Sequence, residues 1–343
     1  MQRIKKASSK LLLLLVLTLI FFSAGALSAQ AKTEKLYIPG GMPFGAKVYS
    51  DGLIVSALSD PAALGLRENP AVCGGVRIGD IIKKADNVQI KTPESLSGCV
   101  SRCEGKEMKL TVMRAKDEIV LTVKPQKCSD GEYRLGVNVR DSLAGIGTVT
   151  FISAEYGAFG GLGHGICDIG SGEVIPILRG SVAEVKINSI VKGESGRPGE
   201  IRGAFMHGKS GTLLKNTECG VFGIIGKVPA DVQPMQAAEL QEVKAGEAHI
   251  MCTLDGEGVK SYKIEIEKID GDASHTTKNF QIKVTDRELL EKTNGIVQGM
   301  SGSPIIQNGK IVGAVTHVMI NEPTKGYGIY IGNMLKEVPE ILS

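Results

Sequence analysis

The sequence predicts a mainly β protein in three parts: an apolar N-terminal leader helix, a small α+β unit and a larger β-rich unit. Three observations predict it. Residues 1–31 combine basic residues with one long apolar run. Residues 36–127 read as strands, a helix, then strands. From residue 131 onward short β runs recur among dense glycines. At 343 residues the chain has room for about two globular domains, and 42% apolar with 22% charged residues excludes wholesale disorder.

The leader comes first. Arg3, Lys5, Lys6 and Lys10 precede the run Leu11–Leu27, and Ala29-Gln30-Ala31 supplies a small-x-small exit. The pattern is that of a secretory signal peptide, with an uncleaved membrane anchor over residues 11–27 as the alternative; either exports the rest of the chain. These four cations account for more than the whole net charge of +3, so the remainder is near −1. Nucleic-acid binding by bulk charge is thereby excluded. Seven cysteines, an odd number, lie in the exported part; Cys99 and Cys103 share a helix face with Leu96 and Val100 and read as core.

In the small unit, Ala46–Tyr49 and Leu53–Val55 flank a turn at Ser50-Asp51-Gly52. Thr92-Pro93-Glu94 opens a helix with a cap and Pro at its first position, and strands Met108–Arg114 and Glu118–Lys124 close the unit. This order around Gly75-Val76-Arg77-Ile78-Gly79-Asp80-Ile81-Ile82 resembles a bacterial PDZ domain. The resemblance implies peptide binding by strand addition, with Phe44-Gly45-Ala46 as the carboxylate loop and the helix Glu94–Glu104 as the groove wall.

In the larger unit, β runs such as Gly147–Ile152, Glu173–Leu178, Ser181–Ile190, Ser261–Glu267 and Ile311–Val318 argue a barrel or a sandwich. Asp286–Thr293 and Asn333–Leu342 read as helices. The chemistry centres on Gly299-Met300-Ser301-Gly302-Ser303-Pro304, followed by a hairpin strand. Glycines there let the amides of Gly299 and Ser301 converge as an oxyanion hole while Ser301 presents its hydroxyl. The run resembles the Gly-Asp-Ser-Gly-Gly-Pro of chymotrypsin-type peptidases, which implies a double β-barrel. Ser303, beside Pro304, suits a structural role.

A serine nucleophile needs a base. His164, in the glycine-dense turn Gly160–Gly165, is the favoured histidine; His317, on the strand behind the nucleophile, reads as core or wall. His275 reads as a solvated turn, and His207 and His249 have no distinguishing context. Spacing leaves the third group open: Asp286 precedes the serine loop but also fits an ordinary helix N-cap, Asp168 is close to His164 in sequence, and Glu194 and Glu200 are further candidates. His164-x-x-Cys167 alone is too weak for a metal site, and no cofactor is expected.

Four segments, Asp141–Phe151, Leu162–Ile166, Gly196-Arg197-Pro198-Gly199-Glu200 and Gly299–Pro304, closely resemble the stage IV sporulation protein B peptidases. The resemblance spans residue 36 to the C-terminus. It implies a PDZ domain at 36–127, a serine peptidase domain at 131–343, and a triad of His164, Asp286 and Ser301. It further implies an exported signalling endopeptidase, acting between forespore and mother-cell membranes, that cleaves itself and a membrane-bound regulator. That cleavage would trigger sigma-factor processing in the mother cell. The competing reading is a non-catalytic binding protein, a PDZ domain tethered to a protease-like barrel.

Overall fold

The computed structural model describes residues 35–115, 117–153, 155–167, 172–229, 231–270 and 277–338. The leader expected at 1–31 lies outside them, as do Asp168 and His275. Among the described residues no helix is long and apolar enough to cross a membrane.

The chain opens with β1 (Leu36–Pro39) and the long β2 (Pro43–Leu58). It then builds a small unit from α1 (Pro70–Cys73), β3 (Ile81–Ala85), β4 (Val88–Gln89), α2 (Pro93–Arg102), β5 (Met108–Arg114), β6 (Asp117–Val123), β7 (Gln126–Lys127) and β8 (Tyr133–Arg134). It returns along β9 (Val137–Ser153), β10 (Ala158–Gly161), β11 (Arg179–Val191), β12 (Glu200–Phe205), β13 (Gly211–Thr217) and β14 (Gly220–Ile225). After β15 (Met235–Gln236) come β16 (Gly246–Cys252), β17 (Lys260–Ile269), β18 (Phe280–Val284), α3 (Arg287–Thr293), β19 (Pro304–Gln307), β20 (Lys310–Met319), β21 (Glu322–Tyr330) and α4 (Ile331–Leu335).

Strands β16, β17, β18, β21, β20 and β19 form a closed barrel. Its core follows the two-residue period of a strand: along β17, Tyr262, Ile264 and Ile266 are buried while Lys263 and Glu265 face out. Burial of each such isoleucine contributes roughly 1.5–3 kcal/mol. In the larger sheet, β2 pairs with β9, β9 with β10, β10 with β14, β14 with β13, β13 with β11, and β11 with β2 again. These six pairings return to their start.

The small unit does not precede this ring as a separate stretch of chain. β2 contributes to the ring, the chain leaves it for residues 59–136, and β9 returns beside β2, pairing from Leu58↔Val137 to Pro43↔Thr148 with register shifts between Tyr49 and Ile54 and between Val55 and Ala57. The turn expected at Ser50–Gly52 is instead a bend inside one strand. Ser50 Oγ donates to the Gly52 carbonyl at 2.7 Å, and a Cβ at Gly52 would lie 2.5 Å from the Ile82 carbonyl oxygen. The run Glu173–Leu178, expected as a strand, makes only a single bridge, Cys167↔Val174, and pairing begins at Arg179.

The helix expected after Thr92 forms as α2. The Thr92 hydroxyl accepts from the Ser95 amide, the Ser95 hydroxyl returns the contact, and Leu96, Cys99 and Val100 face the core. The Gly79-Asp80 pair has a structural use. Asp80 is 1% exposed, and Arg114 grips both its oxygens at 2.8 Å while the Arg77 amide donates to one of them. Removing the guanidinium would strand a buried carboxylate. We therefore expect Arg114→Met to lower unfolding free energy by about 3 kcal/mol in urea titration, with Asp80→Asn costing less.

Candidate active site

Ser301 comes from the loop before β19 and His164 from the turn after β10, so one arises from each ring of strands. Both line a cavity of about 390 Å³, with Ile146, Leu162, Pro198, Ile296, Val297, Gly299, Thr316, His317 and Val318 among its walls.

The Ser301 loop is fixed by β9. Thr148 Oγ1 donates to the Gly299 carbonyl at 2.8 Å, the Thr148 amide donates to the Ser301 carbonyl at 2.9 Å, and Thr150 Oγ1 donates to the Gly302 carbonyl at 2.7 Å. Both threonines are buried. Gly302 has φ +95°, and a Cβ there would lie 2.0 Å from the Thr148 oxygen and 2.4 Å from the Leu162 nitrogen. Ser303 is fully buried and its hydroxyl donates to the Met300 carbonyl at 2.6 Å, a structural position as its neighbour Pro304 suggests.

The amide pattern of this loop alternates. Gln298, Met300, Gly302 and Ser303 donate to Gly199, Val297, Val315 and Met300 respectively. Among the described residues the amides of Gly299 and Ser301 donate to none. These are the two donors that the glycine pattern singles out for an oxyanion hole.

His164 is held by its own turn. Leu162 and Gly163 have positive φ, 66° and 69°, and His164 Nδ1 lies 2.9 Å from the Gly165 carbonyl. A carbonyl only accepts, so Nδ1 carries the proton and Nε2 keeps its lone pair. Burial holds the imidazole below its ordinary pKa, partly offset by the Gly165 bond. His317 stands against it with ring centroids 4.9 Å apart; burial and the neighbouring His164 and Lys278 lower its pKa too. The Ser301 hydroxyl donates to the Thr316 carbonyl at 2.8 Å, and among the described residues no hydrogen bond joins it to His164.

Asp286 is not brought to this pair. Its oxygens accept from the Leu289 amide at 3.0 Å and the Lys263 amide at 3.1 Å, which makes it the N-cap of α3. Its charge is felt instead by buried Cys252, whose thiol is pushed up to about 12 by burial together with Asp255 and Asp286. The carboxylates that share a cavity with His164 are Glu173 and Glu218, in a second space of about 720 Å³ that His317 also lines. Sequence reasoning missed the threonine clamps; their signal was the alternation Thr148-Val149-Thr150 at the end of the segment Asp141–Phe151. Among the described residues no three His, Cys, Asp or Glu side chains are placed to hold a metal ion.

The expected peptide loop is displaced as well. Phe44, Gly45 and Ala46 sit mid-strand in β2, paired to β9 on one edge and β11 on the other, with Phe44 and Ala46 buried. No edge is left there for a peptide. The expected wall helix instead faces Tyr133–Val139 across a cavity of about 190 Å³ lined by Leu64, Leu96, Ser97, Val100 and Leu135. Among the described residues the amides of Leu135 and Gly136 donate to nothing, and Gly136 has φ +78°.

The packing around Gly302 predicts that Gly302→Ala abolishes any Ser301 reactivity while leaving the far strands folded, checked by active-site labelling beside far-ultraviolet circular dichroism. Thr148→Val, which keeps shape and removes one bond, should cost about 1–2 kcal/mol in thermal unfolding.

A profile of the family described as SpoIVB peptidase S55 matches residues 131–335. No curated protein matches the chain. Among solved structures, the inactive form of the Rv3671c protease is similar at 16% identity and TM-score 0.34, over 58% of this chain and 85% of that one. Its active form from M. tuberculosis is similar at 16% identity and TM-score 0.33, over 58% and 74%. The HtrA-type protease AlgW with a decapeptide is similar at 14% and TM-score 0.35, over 62% and 57%. The profile match spans more than half of the chain, its serine loop and its histidine turn included, and the protein belongs to the SpoIVB peptidase S55 family of serine peptidases.

Proposed function

We propose that the protein is an exported serine endopeptidase in which Ser301 is the nucleophile, His164 the general base, and the Gly299 and Ser301 amides the oxyanion hole. The observation that carries this is one cavity lined by a serine, a histidine whose Nδ1 is held by the Gly165 carbonyl, and two residues whose amides have no acceptor among the described residues. In the reaction, Ser301 Oγ turns from the Thr316 carbonyl toward Nε2 and loses its proton to it as the oxygen attacks the peptide carbonyl. The carbonyl oxygen takes up negative charge between the two amides. Collapse leaves an acyl ester on Ser301, the C–N bond breaks, and the amine leaves with the proton from His164. Water then repeats the sequence to release the acid.

In this reading Nδ1 is oriented by the Gly165 carbonyl, and Asp286 serves as a helix cap rather than as the triad acid. The small unit takes an extended peptide between α2 and the edge of β9 at Val137–Arg140, its terminal carboxylate received by the Leu135 and Gly136 amides. Substrates include the chain itself and a membrane-bound regulator, as the family implies for a sporulation signal passed between two membranes. The basic and apolar leader at residues 1–31 supports export.

Self-cleavage followed on gels tests the reading. Ser301→Ala and His164→Ala should each lose activity by several powers of ten. Asp286→Asn should keep most activity, because asparagine also caps helices; a loss near 10⁴-fold would restore Asp286 as the triad acid. Because burial lowers the His164 pKa, the base gains its proton at a lower pH than a free imidazole does. The acid limb of kcat/KM should therefore have its midpoint below 6.5, and stability linked to this group is present above 6.5 and lost as pH falls through the lowered value.

A further inference from the structure

The segment Gly196-Arg197-Pro198-Gly199-Glu200 has so far no use in the chemistry. It lies on the connection between β11 and β12, in the first ring, yet its bonds run to the second barrel. The Gly193 amide donates to the Thr293 carbonyl at 2.9 Å, and Asn294 Nδ2 donates to the Gly193 carbonyl at 2.7 Å. Ser195 Oγ donates to the Asn321 carbonyl at 3.0 Å and the Gly196 amide to the Ile320 carbonyl at 2.9 Å. The strap then closes on the serine loop: the Gln298 amide donates to the Gly199 carbonyl, and the Ile201 amide to the Gln298 carbonyl, both at 2.8 Å. Pro198 lines the cavity beside Ser301.

The last bond has a consequence for Gly299. A trans peptide is planar, so its C=O and N–H point in opposite directions. Holding the Gln298 oxygen toward Ile201 turns the Gly299 N–H the other way. Gly299 has φ +99° and no side chain to resist rotation of that peptide unit, and the Ile201 side chain packs where its Cβ would be, at 3.0 Å. Without the Ile201 amide the unit is free to turn, which would put a carbonyl oxygen where the oxyanion needs a donor.

We propose that the strap Gly193–Ile201 is the positioning element of the oxyanion hole, acting through the Ile201 N–H bond to the Gln298 carbonyl. This rests on the peptidase reading above. Ile201 N–H faces Gln298 and not β11, so Ile201→Pro removes that one bond and no β11–β12 bond donated by it. The rate constant for phosphonate labelling of Ser301, per folded molecule, should fall about 100-fold in Ile201→Pro and stay within about twofold in Ile201→Val. A purely structural role would lower the melting temperature and leave the rate per folded molecule unchanged. Hydrogen exchange of residues 296–301 should rise about tenfold in Ile201→Pro.

Wild-type labelling rates and wild-type exchange in Ile201→Pro would overturn the proposal. If wild-type Ser301 takes no label at all, the peptidase reading falls, and the exchange measurement still decides the strap: unchanged protection rejects it. Should Ile201→Pro fail to fold, Ser195→Ala with Asn294→Gly cuts two of the strap's anchors, and the same two outcomes apply.

Discussion

Two buried threonine hydroxyls and one amide on β9 hold the three carbonyls around Ser301, and the rest of the site depends on this clamp. The clamp works only because Gly302 has no side chain. It brings the loop against Thr148 and Leu162 more closely than a Cβ would allow. With the carbonyls tied down, the amides of Gln298, Met300 and Gly302 are donated, and those of Gly299 and Ser301 have no acceptor among the described residues. Preorganised donors of this kind do not have to reorient as charge develops, which is where much of the rate advantage of such sites arises.

The same strand links the two parts of the molecule. β9 begins at the edge facing α2, where Val137–Val139 lines the smaller cavity, and ends beneath the serine loop. β2 runs alongside it from Val137 to Thr148. A peptide seated at α2 would thus contact the very strand whose other half carries Thr148 and Thr150. The strap from β11 and β12 adds a second hold on the loop from the opposite side, through Gly199 and Ile201. The Ser301 loop is therefore set from the first ring at two places, although its own residues belong to the closed barrel.

Much of this was legible in the sequence because it rested on local chemistry. The Thr92-Pro93 helix start and the glycine turn at His164 each need particular residues at fixed spacing and form as read, and the Gly-x-Ser-Gly run forms a tight loop before β19. The failures came from long-range pairing. Ser50-Asp51-Gly52 has turn composition, but β9, about 90 positions later in the chain, pairs with β2 on both sides of it, at Tyr49 and at Ile54. Phe44-Gly45-Ala46 resembles a ligand loop until β9 and β11 cover both its edges. Asp286 satisfied two readings with one spacing, and only the Leu289 and Lys263 amides separate them. His317 read as wall, which it is, but its ring contact with His164 follows from how the rings of strands meet.

In the proposed mechanism His164 makes Ser301 nucleophilic across one cavity. Intact-mass and peptide-mapping measurements after treatment with a fluorophosphonate test it most directly. We expect a single adduct on Ser301 in the wild type and none on the same timescale in His164→Ala, with both proteins folded. An adduct that persists unchanged in His164→Ala, or that maps to a serine other than Ser301, would contradict it.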